Sequence, residues 1–298
     1  MSTRKAFTKA ASAGLKYKPI NTPKPTPAPS PKPKPKLGPV LMGGAVLYVS
    51  AAYVSMLVFK SKNDTNDMVS GKGAQDPSLT PSSFDTANIW QSVAKKYDQE
   101  IGWDEIVMGV GLLRRWLIGK AQGDVLEVST GTGRNFDYYK PNKVQSATFT
   151  DRHEPMLDEA KAKFLESYKD RFHQAFFETV SIEEKKTKKY DTVVDTFGLC
   201  SCGDPVEALV QMADSCRSEE SRVLLLEHGR SHYDWLNRLL DSNADKHVKQ
   251  WGCWWNRDIM SLFEDERVKQ KLEVVEHSRW HLGTTCFVVA KPKKEKPE

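Results

Sequence analysis

The segment GDVLEVSTGTGRNFDYY, residues 123–139, constrains the fold of this 298-residue chain more than any other. An apolar strand, Val125–Val128, runs into a glycine turn at Gly131 and Gly133, and a helix is expected to follow. Such a unit opens a doubly wound α/β sheet, and its glycines let backbone N–H groups approach a bound ligand. Glu127 precedes the turn by two residues, where a carboxylate repels a pyrophosphate but suits a cationic amino-acid group. A second apolar strand, Ser146–Thr150, ends in Asp151, 24 positions after Glu127. An acid at that place in a Rossmann-like unit accepts hydrogen bonds from ribose hydroxyls.

Alternating strands and helices continue on both sides of this unit. Trp90, Val93, Tyr97 and Ile101 recur at helical spacing and predict an amphipathic entry helix. Asp191–Asp195 and the run ending LLLEHGRS read as a fourth and a fifth strand. LEVVEHSRWHLGTTCFVVAK reads as two strands joined near Arg279–His281.

VLEVSTGTGRN resembles the first motif of the class I S-adenosylmethionine-dependent methyltransferases. DRHEPML leading into DEAKAK is similar to their second-motif stretch, YDTVVDTFGLCSCGDPVEAL to their fourth-strand block and SRVLLLEHGRS to their fifth. The four blocks occur in order over Asp124–Ser231, about a third of the chain. GLCS-x-x-DP, LLLEHGRS and W-G-x-W-W-N-R-D, together with the basic N-terminal arm, make it look like the fungal mitochondrial inner-membrane methyltransferases of the Oms1 type. The resemblance implies an α/β fold: a Rossmann-like seven-stranded sheet with a terminal antiparallel hairpin. It implies S-adenosyl-L-methionine as cofactor. Glu127 would then face the methionine amine, Gly131 and Gly133 would border methionine and ribose, and Asp151 would accept both ribose hydroxyls. Met156 of the second-motif stretch would join them, and Glu178 would approach the adenine. Ser129 stands where the family has its first glycine; binding is expected to survive if that position has ordinary dihedrals.

Methyl transfer from a sulfonium is an in-line displacement, so positioning and electrostatics can supply most of the catalysis. The fourth strand should deliver Asp195, Thr196 and Phe197 to the methyl end, and DTFG there argues against exocyclic amine acceptors. His228, at the end of the fifth strand, is the candidate base. Asp195 and His228 are therefore the candidate catalytic residues. Trp251, Trp254 and Trp255 could clamp a flat or lipidic substrate or rest on a membrane interface. Five cysteines are present, and Cys200-x-Cys202 has no second pair at zinc-ligand spacing, so no metal centre is expected.

Leu37–Phe59 is a run of 23 residues without a charge. As a helix it would extend about 34 Å, enough to cross a bilayer core. Residues 1–36 form a basic presequence and a Pro/Lys spacer, and residues 60–83 a polar tether before a domain over 84–298. Residues 1–63 hold eleven Lys or Arg and no acid; removing those charges from the net +5 leaves the remainder at −6. A domain of that sign argues against nucleic acid as a partner. Composition and resemblance together predict a single-pass mitochondrial inner-membrane methyltransferase. Its acceptor is a small molecule or a lipid, and the basic N-terminus faces the matrix. An assembly or RNA-maturation factor that keeps the fold is the alternative, and nicotinamide-dependent redox chemistry is disfavoured.

Overall fold

Seven strands form one sheet: β1 (Gly123–Val128), β2 (Val144–Asp151), β3 (Ala175–Thr179), β4 (Thr192–Thr196), β5 (Arg222–His228), β6 (Leu272–Trp280) and β7 (Thr285–Pro292). Their order is β3-β2-β1-β4-β5-β7-β6. The first five are parallel; β7 runs antiparallel to β5 and pairs with β6 as the terminal hairpin. The computed structural model describes residues 86–184 and 188–293. The presequence, the spacer, the Leu37–Phe59 span, the tether and the expected orientation lie outside the described residues. No helix among the described residues is long and apolar enough to cross a membrane.

β1, β4 and β5 are buried along nearly their whole length, as parallel strands covered on both faces must be. Alternate side chains divide between two cores. On one face Val125, Phe149, Val194 and Leu224 pack under α2 (Val110–Ile118) and α3 (Glu154–Ser167). On the other, Leu126, Val193, Val223 and Leu225 pack under α4 (Pro205–Asp214) and α6 (Glu266–Lys271). Asp204 caps α4 by accepting from the Glu207 N–H at 2.9 Å, and Pro205 fills the first turn, where its missing N–H is harmless. The predicted entry helix is α1 (Ala87–Met108).

The helix expected after the glycine turn is absent. A single 3-10 turn, Phe136–Tyr138, leads to β2 instead. Pro141 lies where such a helix would run, and a proline in a helix interior clashes with the carbonyl four residues back. Phe136, fully buried, fills the vacated space edge-on to Phe149 at 4.8 Å. This ring also explains Gly133. Its φ is +76°, and an added Cβ would lie 2.2 Å from Phe136 Cε2. Gly133→Ala is expected to lose roughly 2–4 kcal/mol, combining the left-handed penalty with overpacking. A urea unfolding curve that overlays the wild type would contradict that reading.

Candidate functional site

The strand order reverses between β1 and β4, so a crevice opens at the carboxyl ends of these strands, where open α/β sheets bind ligands. A cleft of about 680 Å³, counting its open mouth, lies there; Gly131, Asp151, Met156 and Phe197 are on its wall. Asp151 is 6% exposed. Its Oδ2 accepts from the Gly131 N–H at 2.8 Å and its Oδ1 from the His153 N–H at 2.8 Å. The carboxylate thus ties the glycine turn of β1 to the end of β2. Met156 packs beneath the turn, 3.6 Å from where a Gly131 Cβ would sit.

Two non-glycine residues of this wall are left-handed: Ser129 at φ 51° and Phe197 at φ 61°. The condition set for Ser129, ordinary dihedrals, is not met. Such residues cost about 1–3 kcal/mol each and persist where the surroundings fix them. At Ser129 the side chain adjoins the buried Asp195 carboxyl and helps to lower it against the raising effect of burial, an effect glycine could not supply.

Glu127 is placed one layer beneath the turn and does not line the cleft. It is 1% exposed, accepting from Tyr139 Oη at 2.5 Å and from Asn135 Nδ2 at 3.0 Å. Burial pushes its carboxyl up to about 7, against the lowering pull of those two bonds and of Arg114. Between the ordinary value of 4.5 and about 7, the folded chain keeps a proton that the unfolded chain has released. Stability contributed there is complete at the acid end and falls as pH rises through this window. Glu127→Gln, an isostere of the neutral acid, is expected to match the wild type near pH 4.5. Above about pH 7 it should be more stable by roughly 3 kcal/mol. Urea midpoints across pH check this; an offset that does not change with pH would contradict it.

α1 is clamped across the cleft by charge. Arg134 donates to Asp98 at 3.0 Å and to Glu105 at 2.7 Å, and the Thr132 hydroxyl donates to Asp98 at 2.6 Å. Arg114 donates to Glu105 at 2.8 Å, to Asn135 at 2.8 Å and to Thr196 at 2.9 Å. Burial raises the Glu105 carboxyl, but Arg114 and Arg134 outweigh it and hold the group below its ordinary value. The clamp places Trp90 and Tyr97 of α1 on the cleft wall. Sequence reasoning missed these residues, because the acids of one helix and the arginines of two other segments meet only in the fold. His153 was also missed; it lies on the same wall with Nδ1 3.3 Å from Asp151 Oδ1.

The other expected site residues are placed differently. Glu178 is half-buried on β3 and lines neither this cleft nor the smaller one beside it, whereas Glu183, a few residues later, does line the neighbour. Asp195 lines that smaller cleft, 1% exposed, and burial raises its carboxyl, as it does that of the adjoining Glu227. His228 lies behind the wall, its ring 4.4 Å from that of Phe197 and its Nδ1 3.5 Å from Cys253 Sγ. No tryptophan of the expected clamp lines the cleft. Trp254 is core, and Trp255 donates to the Leu240 carbonyl and stacks on His247 at 3.9 Å. Finally, Cys200, His228 and Cys253 come together, from three segments whose spacing had predicted no metal-ligating group.

A cofactor cleft at the switch point of a 3-2-1-4-5-7-6 sheet, walled by a glycine turn and by the acid ending β2, defines a methyltransferase-type α/β domain. The chain matches the methyltransferase-domain family over residues 107–273 and belongs to it. Over 224 residues it is 40% identical to "Methyltransferase OMS1, mitochondrial" of Saccharomyces cerevisiae, covering 70% of this chain and 46% of that protein. The resemblance read from the motifs is borne out. Over 150 residues it is 33% identical to the "Ubiquinone/menaquinone biosynthesis C-methyltransferase UbiE" of Bdellovibrio bacteriovorus, covering 48% of this chain and 61% of that protein. The chain thus spans about half the length of these curated relatives. Among solved structures, a chain from the complex of the Haloferax volcanii Trm112 methyltransferase activator with a methyltransferase superposes at a TM-score of 0.55. The two are 12% identical, covering 72% of this chain and all of that one, a likeness of fold alone.

Proposed function

We propose that this chain is an S-adenosylmethionine-dependent methyltransferase, held on the mitochondrial inner membrane by Leu37–Phe59, that acts on a small or lipid-soluble acceptor. The observation that carries the cofactor is the pairing of Asp151 with the Gly131 N–H on one cleft wall. The residues fit the cofactor: an acid for ribose hydroxyls, a glycine turn for close backbone approach, and Met156 beneath it. Bound there, S-adenosylmethionine supplies an activated methyl group for in-line displacement. Asp151 holds the ribose end. Trp90, Tyr97 and Phe197 shield the cleft from water, and aromatic faces favour a sulfonium electrostatically. His228 lies behind Phe197 and away from the cleft, and burial raises the Asp195 carboxyl above its ordinary range, which does not favour Asp195 as the base.

The name of the Bdellovibrio relative, a quinone-pathway C-methyltransferase, supports a lipid-soluble acceptor. So do the half-exposed Trp116 and Trp280, whose rings lie 5.6 Å apart beside the exposed Leu112. The mitochondrial name of the yeast relative supports the location. Carbonate extraction tests the anchor: the full chain stays with membranes, and one lacking residues 37–59 is released. Release of the full chain would contradict it. Lipid, quinone and thiol profiles of mitochondria with and without the chain test the acceptor class. A methylated quinone or lipid that disappears supports the reading; a change confined to RNA processing or assembly overturns it.

A further inference from the structure

We propose that Cys200, His228 and Cys253 form a binding site for one soft divalent cation, with Zn²⁺ the occupant that best suits the ligands. The inference stands apart from methyl transfer. Cys253 Sγ lies 3.0 Å from Cys200 Sγ and 3.5 Å from His228 Nδ1, and the three ligand atoms all lie within 4.8 Å of one another. A tetrahedral zinc with ordinary bond lengths separates sulfur from nitrogen by about 3.6 Å and two sulfurs by about 3.8 Å. Cys253 and His228 already meet the first spacing, Cys200 lies within 4.8 Å of a ring nitrogen, and the second spacing needs the thiols to part by about 0.8 Å.

The site is built as well as assembled. Cys200 is fully buried and Cys253 is 5% exposed. The Cys200 N–H donates to Glu227 Oε2 at 3.2 Å, and its carbonyl accepts from the Trp254 N–H at 2.9 Å, which locks the two cysteine loops together. The Cys253 carbonyl bonds His247 Nδ1 at 2.9 Å, and that ring stacks on Trp255. Gly252, left-handed at φ 65°, ends α5 (Asp234–Trp251) and turns the chain so that Cys253 enters the cluster. Two thiolates and a neutral imidazole balance a 2+ ion, so the filled site carries no net charge into a buried place. Both sulfurs are unbonded thiols here, and binding displaces both thiol protons to solvent as two metal–sulfur bonds form. A disulfide would use the cysteines and leave His228 without a role; the third ligand is what favours a cation. Three protein ligands leave one coordination position open, the pattern of catalytic rather than structural zinc. His228 packs on Phe197, so the ion would lie one side-chain layer behind the cofactor cleft.

The full-length chain, purified in detergent under reducing conditions and stripped with a chelator, is titrated with Co²⁺ and then Zn²⁺. The expected result is a thiolate-to-cobalt charge-transfer band with tetrahedral d–d bands, saturating at one ion per chain, with proton release, and bleached by Zn²⁺. Cys200→Ser, Cys253→Ser and His228→Gln each weaken or abolish these bands, while Cys216→Ala keeps them. Absence of the bands in wild-type protein that keeps its near-UV circular dichroism overturns the proposal. So do bands that are unchanged in Cys253→Ser, or a Cys200–Cys253 disulfide without bound metal.

Discussion

Asp151→Ala is expected to weaken S-adenosylmethionine binding by roughly ten- to hundredfold in a domain that still folds, the loss of charged hydrogen bonds worth about 1.5–3 kcal/mol. The carboxylate ends β2 on the cleft wall and braces the Gly131 and His153 N–H groups. Its removal therefore takes away the ribose acceptor and loosens the turn that the cofactor must meet. Asp151→Asn keeps one acceptor oxygen and should fall between the two. Calorimetric titration reads the affinity, and a thermal melt shows whether the fold is kept. Equal affinity in a folded Asp151→Ala chain would remove this residue from the site.

Arg114→Met is expected to cost about 3 kcal/mol of stability, the low end for breaking a buried ion pair. Arg114 is 4% exposed and joins four partners from three segments: Glu105 of α1, the buried Asn135, Thr196 at the cleft, and the Phe197 ring 5.0 Å away. Arg134 remains to hold Glu105, which keeps the loss from reaching the upper end of that range. Adding Glu105→Gln should recover part of the loss, because an incompletely compensated buried carboxylate is then gone. Urea unfolding measures both variants. A loss below about 1 kcal/mol would show that α1 is held by its apolar face rather than by this clamp.

The strands and the cofactor turn were legible because they are local. Val125, Leu126 and Val128 of β1 and the run Val223–Leu226 of β5 are short apolar stretches that suit a covered parallel sheet, and the glycine turn and Asp151 have a fixed spacing. The missing helix after the turn was not legible, since Phe136 takes its place only once Phe149 is beside it. The clamp of Asp98, Glu105, Arg114 and Arg134 escaped for the same reason: each residue alone reads as a solvated charge. His228 was found at the strand end as a candidate base, but nothing in the spacing reveals that Cys200 and Cys253 reach it. Glu178 was chosen by counting from β3, whereas the chain passes the adjoining cleft a few residues later, at Glu183.

Titration of the purified full-length chain with S-adenosylmethionine, alongside a nicotinamide dinucleotide as control, tests the central claim most directly. The account predicts saturable binding of one S-adenosylmethionine per chain, sharply weakened in Asp151→Ala, and no heat from the dinucleotide. A folded chain that binds no S-adenosylmethionine, or that binds it equally well without Asp151, would contradict the account.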